Sequence, residues 1–295
     1  MKTRRAALAA LVFLSACSAR TRRFIGYQFA GPVPAASCRA DGPARVCVYA
    51  PEGEENRDLV YFFHYATGDE RSWNRLGLSR AFYSEYRRRG RPAPRVVTVS
   101  YGPYWLLTDA PGLRQTVTLK DFDALRARVE RGLAPVGRRY LWGMSQGGYD
   151  AAVAALCAPR DWAAVALSCP ALEADTPYET PAREPAARSA EGRLLFTYRL
   201  SGDGAWRAGN PLALVAAARR PPPFWIEANA GDEFGYLPGA RALAEELRAA
   251  GDAVTLTVSP GGHCTIDARA AARFLAARED ADGAAARAAA VAGPR

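Results

Sequence analysis

Lysine is almost missing from this chain of 295 residues. Lys2 and Lys120 are the only two among 39 cationic residues, so the formal net charge of +9 rests on arginine. A basic balance admits an acidic partner such as nucleic acid or anionic lipid. There is, however, no nucleic-acid-binding motif and no basic helix interleaved with aromatics; the arginines are scattered through Ala-, Gly- and Pro-rich sequence. Nucleic acid is therefore not an expected partner. Histidine is equally scarce, with only His64 and His263. No Cys-x-x-Cys pair and no His/Cys spacing suggests zinc, so neither a metal nor a cofactor is expected. Beyond the N-terminus no apolar run reaches the roughly 20 residues a spanning helix needs. The chain is nevertheless 49% hydrophobic and 23% charged, enough to bury a core, which excludes wholesale disorder, collagen-like and coiled-coil chains.

The N-terminus reads as an address. Lys2, Arg4 and Arg5 precede an apolar run from Ala6 to Ala16, the layout of a secretory signal. The run closes Leu14-Ser15-Ala16-Cys17, small residues directly before a cysteine. This resembles the lipobox of bacterial lipoproteins, which implies cleavage before Cys17, lipidation of Cys17 and a lipid-anchored place in the bacterial cell envelope; an ordinary cleaved signal with a chance cysteine, and so a secreted protein, is the alternative. Ser18 follows rather than aspartate, which by the same resemblance favours the outer membrane. Loss of Lys2, Arg4 and Arg5 lowers the formal charge from +9 to +6. Arg20, Arg22 and Arg23 then follow the expected anchor closely in sequence, a position suited to anionic headgroups.

Export leaves Cys38, Cys47, Cys157, Cys169 and Cys264 in an oxidising compartment, an odd number. Cys38 and Cys47 flank a turn at Asp41-Gly42-Pro43. Cys157 ends an expected helix and Cys169 the strand after it. Both pairs are plausible bridges, and many other connectivities remain open.

Residues 18–40 read as a polar tether, 41–278 as one catalytic domain and 279–295 as an Ala-rich, frayed tail. Within the domain, strands are expected at 45–49, 59–63, 95–99, 140–142, 163–167, 224–228 and 254–258 from short β-branched runs. Helices are expected at 119–133, where Thr118 and Asp121 offer a capping box, and at 148–157, 240–250 and 268–277. Strands alternating with helices imply an α/β fold, a mainly parallel central sheet with helices on both faces. The stretch 172–222 breaks the rhythm and reads as an irregular insertion.

The sharpest local feature is Gly143-Met144-Ser145-Gln146-Gly147-Gly148, between an expected strand and helix. A Gly-x-Ser-x-Gly turn there is a nucleophile elbow: it strains the serine, and glycine on either side removes the clash. A serine hydroxyl needs a base. His263 lies in the loop Ser259-Pro260-Gly261-Gly262-His263-Cys264 before the last helix, and is the better candidate; His64 ends a strand and reads as a buttress. Asp232 and Glu233, after strand 224–228, offer the acid that orients the imidazole. The order Ser145, Asp232, His263 is that of the α/β-hydrolase fold.

On these residues the stretch 45–278 resembles the esterase branch of the α/β-hydrolases that includes feruloyl and acetylxylan esterases, polyhydroxybutyrate depolymerases and S-formylglutathione hydrolases. His64-Tyr65-Ala66-Thr67-Gly68 with Trp73 resembles that branch's strand-ending His-Gly, turn and Trp. The double glycine of the elbow, Asp232 before x-Phe, Gly262-His263, and Trp206 to Pro211 match further segments. The resemblance implies a serine esterase with Ser145, Asp232 and His263 catalytic, acting on a small-molecule or saccharide ester. The oxyanion hole is then expected from Gln146 and the Tyr65–Ala66 turn, although Tyr65 stands where the branch has glycine. Trp73, Tyr104, Trp105 and Trp206 are candidates for an aromatic substrate wall or, equally, for core. An acyltransferase or peptidase with the same triad, or a non-catalytic envelope binding protein on this scaffold, are the alternatives.

Overall fold

The computed structural model describes residues 33–51, 56–102, 117–173 and 208–292, with side chains as far as residue 281. Eight strands form one sheet: β1 (Ala36–Asp41), β2 (Ala44–Tyr49), β3 (Leu59–Phe63), β4 (Arg95–Ser100), β5 (Arg139–Met144), β6 (Ala164–Ser168), β7 (Phe224–Asn229) and β8 (Val254–Ser259). Their spatial order is β1-β2-β4-β3-β5-β6-β7-β8. β2 runs antiparallel to both neighbours, and every other pairing is parallel. The helices are α1 (Ser72–Arg75), α2 (Leu78–Arg88), α3 (Leu119–Leu133), α4 (Gln146–Cys157), α5 (Pro211–Leu214), α6 (Leu237–Ala249) and α7 (Ala268–Ala292).

The inner strands lie in the middle of the sandwich because their side chains are apolar on both faces. Every residue of β3, β6 and β7 is buried, as parallel strands covered on two sides must be. Alternate residues feed two cores. Tyr61, Phe63, Leu141, Val165, Leu167 and Ile226 meet residues of α3, α4 and α6 on one face. Val60, Phe62, Tyr140, Trp142, Ala166 and Trp225 meet α2 and α7 on the other. This mainly parallel sheet with helices on both faces is the expected architecture. The expected capping box also forms: Thr118 N donates to Asp121 Oδ2 at 2.8 Å at the start of α3.

Four differences from the sequence reading have physical causes. The stretch read as tether holds β1, whose Ala36–Asp41 pair with β2. Five of its six residues are exposed, so this edge strand shows no apolar alternation. Cys38 faces Cys47 in register and bridges to it, as one expected pairing had it. The second expected pairing is corrected: Cys169 bonds to Cys264, across 95 residues, and Cys157 lies outside both disulfides. α2 was not expected, because its arginines mask the apolar face of Leu78, Ala81, Phe82 and Tyr86. α7 continues past residue 278 to Ala292, in keeping with alanine's helix propensity. Glu279 there is buried and accepts from Asn56 Nδ2 at 2.7 Å.

Of the irregular stretch 172–222, residues 174–207 lie outside the described ones. Its C-terminal part docks on α4: Tyr149 Oη donates to Gly209 O at 2.7 Å, and Asn210 caps α5. Much of the arginine charge is spent on ion pairs within the fold, such as Arg138 with Asp58 and Arg139 with Glu130. Among the described residues no helix is long and apolar enough to cross a membrane.

Candidate active site

Ser145 sits between β5 and α4 with φ 55° and ψ −116°. A left-handed φ at a non-glycine residue is strained and persists only where its surroundings enforce it. Here they do. Ser145 N donates to Ser168 O at 3.0 Å at the end of β6, while Ser145 O accepts from Ala171 N and Gly148 N at 2.9 Å each. The glycines make room. A Cβ on Gly143 would collide with Gly147 O, one on Gly147 with Phe63 O, and one on Gly148 would come within 2.8 Å of Pro170.

The structure brings the three sequence-predicted side chains together. Ser145 Oγ lies 2.8 Å from His263 Nε2, and His263 Nδ1 lies 2.8 Å from Asp232 Oδ2. With a carboxylate at Nδ1, that nitrogen carries the proton and Nε2 accepts from the serine hydroxyl. Both side chains of the His–Asp pair are buried, at 6% and 3% exposure, which shields the link from water. Glu233, the rival acid, takes another place: its Oε2 accepts the backbone N–H of His263 at 2.7 Å.

The loop carrying His263 is fixed from β7 and the turn after it. Glu227 accepts Ser259 Oγ–H at 2.6 Å before the loop and Asp267 N–H at 3.0 Å after it. Burial raises the Glu227 carboxyl above its ordinary pKa, and these donors oppose the rise. Asn229 Nδ2 donates to Thr265 O at 2.6 Å. Phe234 and Tyr236 stack on each other and set their rings edge-on to the His263 imidazole, with centroids 4.9 and 5.3 Å from it. Sequence reasoning missed these supports. Glu227 did carry a signal, as the one charge inside the apolar run Phe224–Ala228.

The other expected residues separate into three groups. Gln146 is the first residue of α4, where backbone N–H groups point out of the helix. Tyr65 and Ala66 lie in the turn after β3, which Gly68 N closes by donating to Tyr65 O at 2.7 Å. Phe63 pairs with Gly143, so this turn borders the elbow at the crevice where strand order reverses. The Tyr65 side chain packs against the core on the α2 and α7 face. His64 buttresses the turn as expected: Nδ1 donates to Tyr65 O at 2.7 Å, and Nε2 accepts from Ser100 Oγ at 2.8 Å. Trp73 is corrected from wall to core. It is fully buried among Phe62, Phe82 and Trp142, because α1 lays it against the sheet. Tyr104, Trp105 and Trp206 lie outside the described residues. Cys169, Cys264 and His263 place their sulfur and nitrogen atoms within 4.8 Å of one another. With both sulfurs in a disulfide and both ring nitrogens hydrogen-bonded, this cluster presents no thiolate to a metal.

No family model matches the sequence, and no curated protein matches it. Solved structures match by fold. A tributyrin-phosphonate-inhibited esterase B from Lactobacillus rhamnosis superposes with a TM-score of 0.66 at 18% identity, over 97% of this chain and 98% of that one. An S-formylglutathione hydrolase from Agrobacterium tumefaciens gives 0.61 at 17% identity, over 83% and 94%. An esterase from Pyrobaculum calidifontis gives 0.61 at 16%, over 91% and 92%. With the sheet order and the elbow, these likenesses define the α/β-hydrolase fold.

Proposed function

We propose that the protein is a serine hydrolase of carboxylic esters, with Ser145 as nucleophile, His263 as general base and acid, and Asp232 as the orienting carboxylate. The observation that carries this reading is the unbroken relay Ser145 Oγ–His263 Nε2 and His263 Nδ1–Asp232 Oδ2, each link 2.8 Å, built on a strained elbow. The fold neighbours add support, being described as esterases and an S-formylglutathione hydrolase.

His263 takes the Ser145 proton as Oγ attacks the ester carbonyl. Asp232 holds the proton-bearing Nδ1 and stabilises the imidazolium. The developing oxyanion is met by the N–H of Gln146 and by one from the Tyr65–Ala66 turn, donors fixed before the reaction. His263 then protonates the leaving alcohol, and an acyl group remains on Ser145. Water, deprotonated by the same imidazole, releases the acid. The relay needs only these side chains and water, and the substrate class is small-molecule esters.

In the same reading the domain is exported and held at the bacterial cell envelope by lipid on Cys17, with residues beyond it as a lead to the domain. Two disulfides among the described residues accord with an oxidising compartment. Purified protein is expected to hydrolyse p-nitrophenyl acetate, and Ser145→Ala to abolish that activity. Equal rates for the two proteins would overturn the reading.

A further inference from the structure

The Cys169–Cys264 disulfide joins the two halves of the proposed machinery. Cys264 directly follows His263 in the chain. Cys169 directly follows β6, inside the four-residue segment that holds the nucleophile: Ser168 O accepts Ser145 N–H at 3.0 Å, and Ala171 N donates to Ser145 O at 2.9 Å. A path of covalent and short hydrogen bonds therefore runs from His263 through the bridge to the Ser145 backbone. It closes a ring on the far side from the 2.8 Å contact between Ser145 Oγ and His263 Nε2.

The loop needs such a tie. Gly261 and Gly262 immediately precede His263 and give its backbone wide freedom, with Gly261 at φ 112°. Glu227 accepts hydrogen bonds from the two ends of the loop, Ser259 and Asp267, and between them only hydrogen bonds hold it: Glu233 accepts the His263 N–H and Asn229 donates to Thr265 O. Cys169 and Cys264 both have left-handed backbones, with φ 45° and 62°, conformations a non-glycine residue keeps only when held. Both are buried, and their sulfurs lie within 4.8 Å of a ring nitrogen of His263.

We infer that the Cys169–Cys264 disulfide is a positioning device for the catalytic base, holding the His263 imidazole at attack distance from Ser145. Cys169 and Cys264 are positioning residues, and the inference rests on the serine-hydrolase reading above. Reduction by a dithiol breaks the S–S bond, places two electrons and two protons on the pair as thiols, and leaves the reductant as a cyclic disulfide. The loop then keeps its hydrogen bonds to Glu227, Glu233 and Asn229 and loses its one covalent link beside the imidazole. Misplacement of a base by about 1 Å costs on the order of 100-fold in rate.

The test compares p-nitrophenyl acetate hydrolysis by the oxidised protein, the Cys169→Ala/Cys264→Ala variant and the Cys38→Ala/Cys47→Ala variant. The expected result is a fall in kcat of about 10- to 100-fold for the first variant, with KM within about twofold. Labelling of Ser145 by a fluorophosphonate should slow in parallel, at a temperature where circular dichroism reports a folded protein. The second variant, which loses only the hairpin bridge, should retain its kcat. Should the first variant not fold, wild type treated with dithiothreitol, its thiols counted, carries the same expectation, and reoxidation restores the rate. Unchanged kcat in a folded protein without the bridge overturns the inference. An inactive oxidised wild type overturns the hydrolase reading instead.

Discussion

Glu227 takes the backbone N–H of Asp267 on both of its carboxylate oxygens, each at 3.0 Å. A carboxylate inside an apolar strand is costly unless donors surround it. Here the donors come from the two ends of the loop that presents His263, so β7 grips that loop through one side chain. Glu227→Ala leaves Asp267 N–H without its acceptor and frees both loop ends. The expected loss is about 1–3 kcal/mol of stability, with a lower kcat; denaturant unfolding and initial rates measure the two.

Two glycines should respond in opposite directions. A Cβ on Gly147 would collide with the backbone oxygen of Phe63 in the neighbouring strand, which has no rotamer to change. Gly147→Ala should therefore cost about 3 kcal/mol or more and abolish activity. Gly132 lies in α3 with nothing within 4 Å of an added Cβ. Gly132→Ala should stabilise the protein by about 0.4–1 kcal/mol, with activity unchanged. Paired thermal melts decide both.

What the sequence displays and what it hides follow from how each signal arises. The interior strands stood out because burial on two faces demands uninterrupted β-branched or aromatic runs, as in Leu59–Phe63, and the edge strand β8 stood out by its alternation of valine and leucine with threonine. β1 was hidden because an exposed edge strand needs only backbone partners. The Ser145, Asp232 and His263 positions were legible because each follows a strand at the same end of a parallel sheet. The partner of Cys169 was not, since its sequence separation of 95 from Cys264 is closed only by the fold. Trp73 illustrates the remaining ambiguity: an aromatic near a site motif has the same letter whether it faces substrate or core, and α1 turns it to the core.

The neighbouring acids Asp232 and Glu233 separate by what they touch. Asp232 meets the imidazole ring, Glu233 the His263 backbone. Asp232→Asn should lower kcat by about 10³- to 10⁴-fold, since an amide at Nδ1 favours the wrong tautomer. Glu233→Gln keeps an acceptor for the N–H and should cost about tenfold or less. Steady-state kinetics on the two variants give the ranking.

His64 sets a pH limit on the fold. Burial holds its imidazole below the ordinary pKa of 6.5, so the folded state favours the neutral ring. A depressed folded pKa contributes stability that is present above 6.5 and is lost as pH falls through the folded value. His64→Gln removes that proton-linked part. The melting temperature of wild type should fall more steeply than that of the variant as pH drops below 6.5, because only wild type carries the buried His64 imidazole. Parallel slopes would contradict the buttress role.

On the proposed function, Ser145 is a nucleophile activated by His263. A fluorophosphonate probe with intact-mass and peptide mapping tests it most directly. One adduct per chain is expected, located on Ser145, lost in Ser145→Ala and strongly slowed in His263→Ala. No adduct on the folded protein, or an adduct on a different residue, would contradict it.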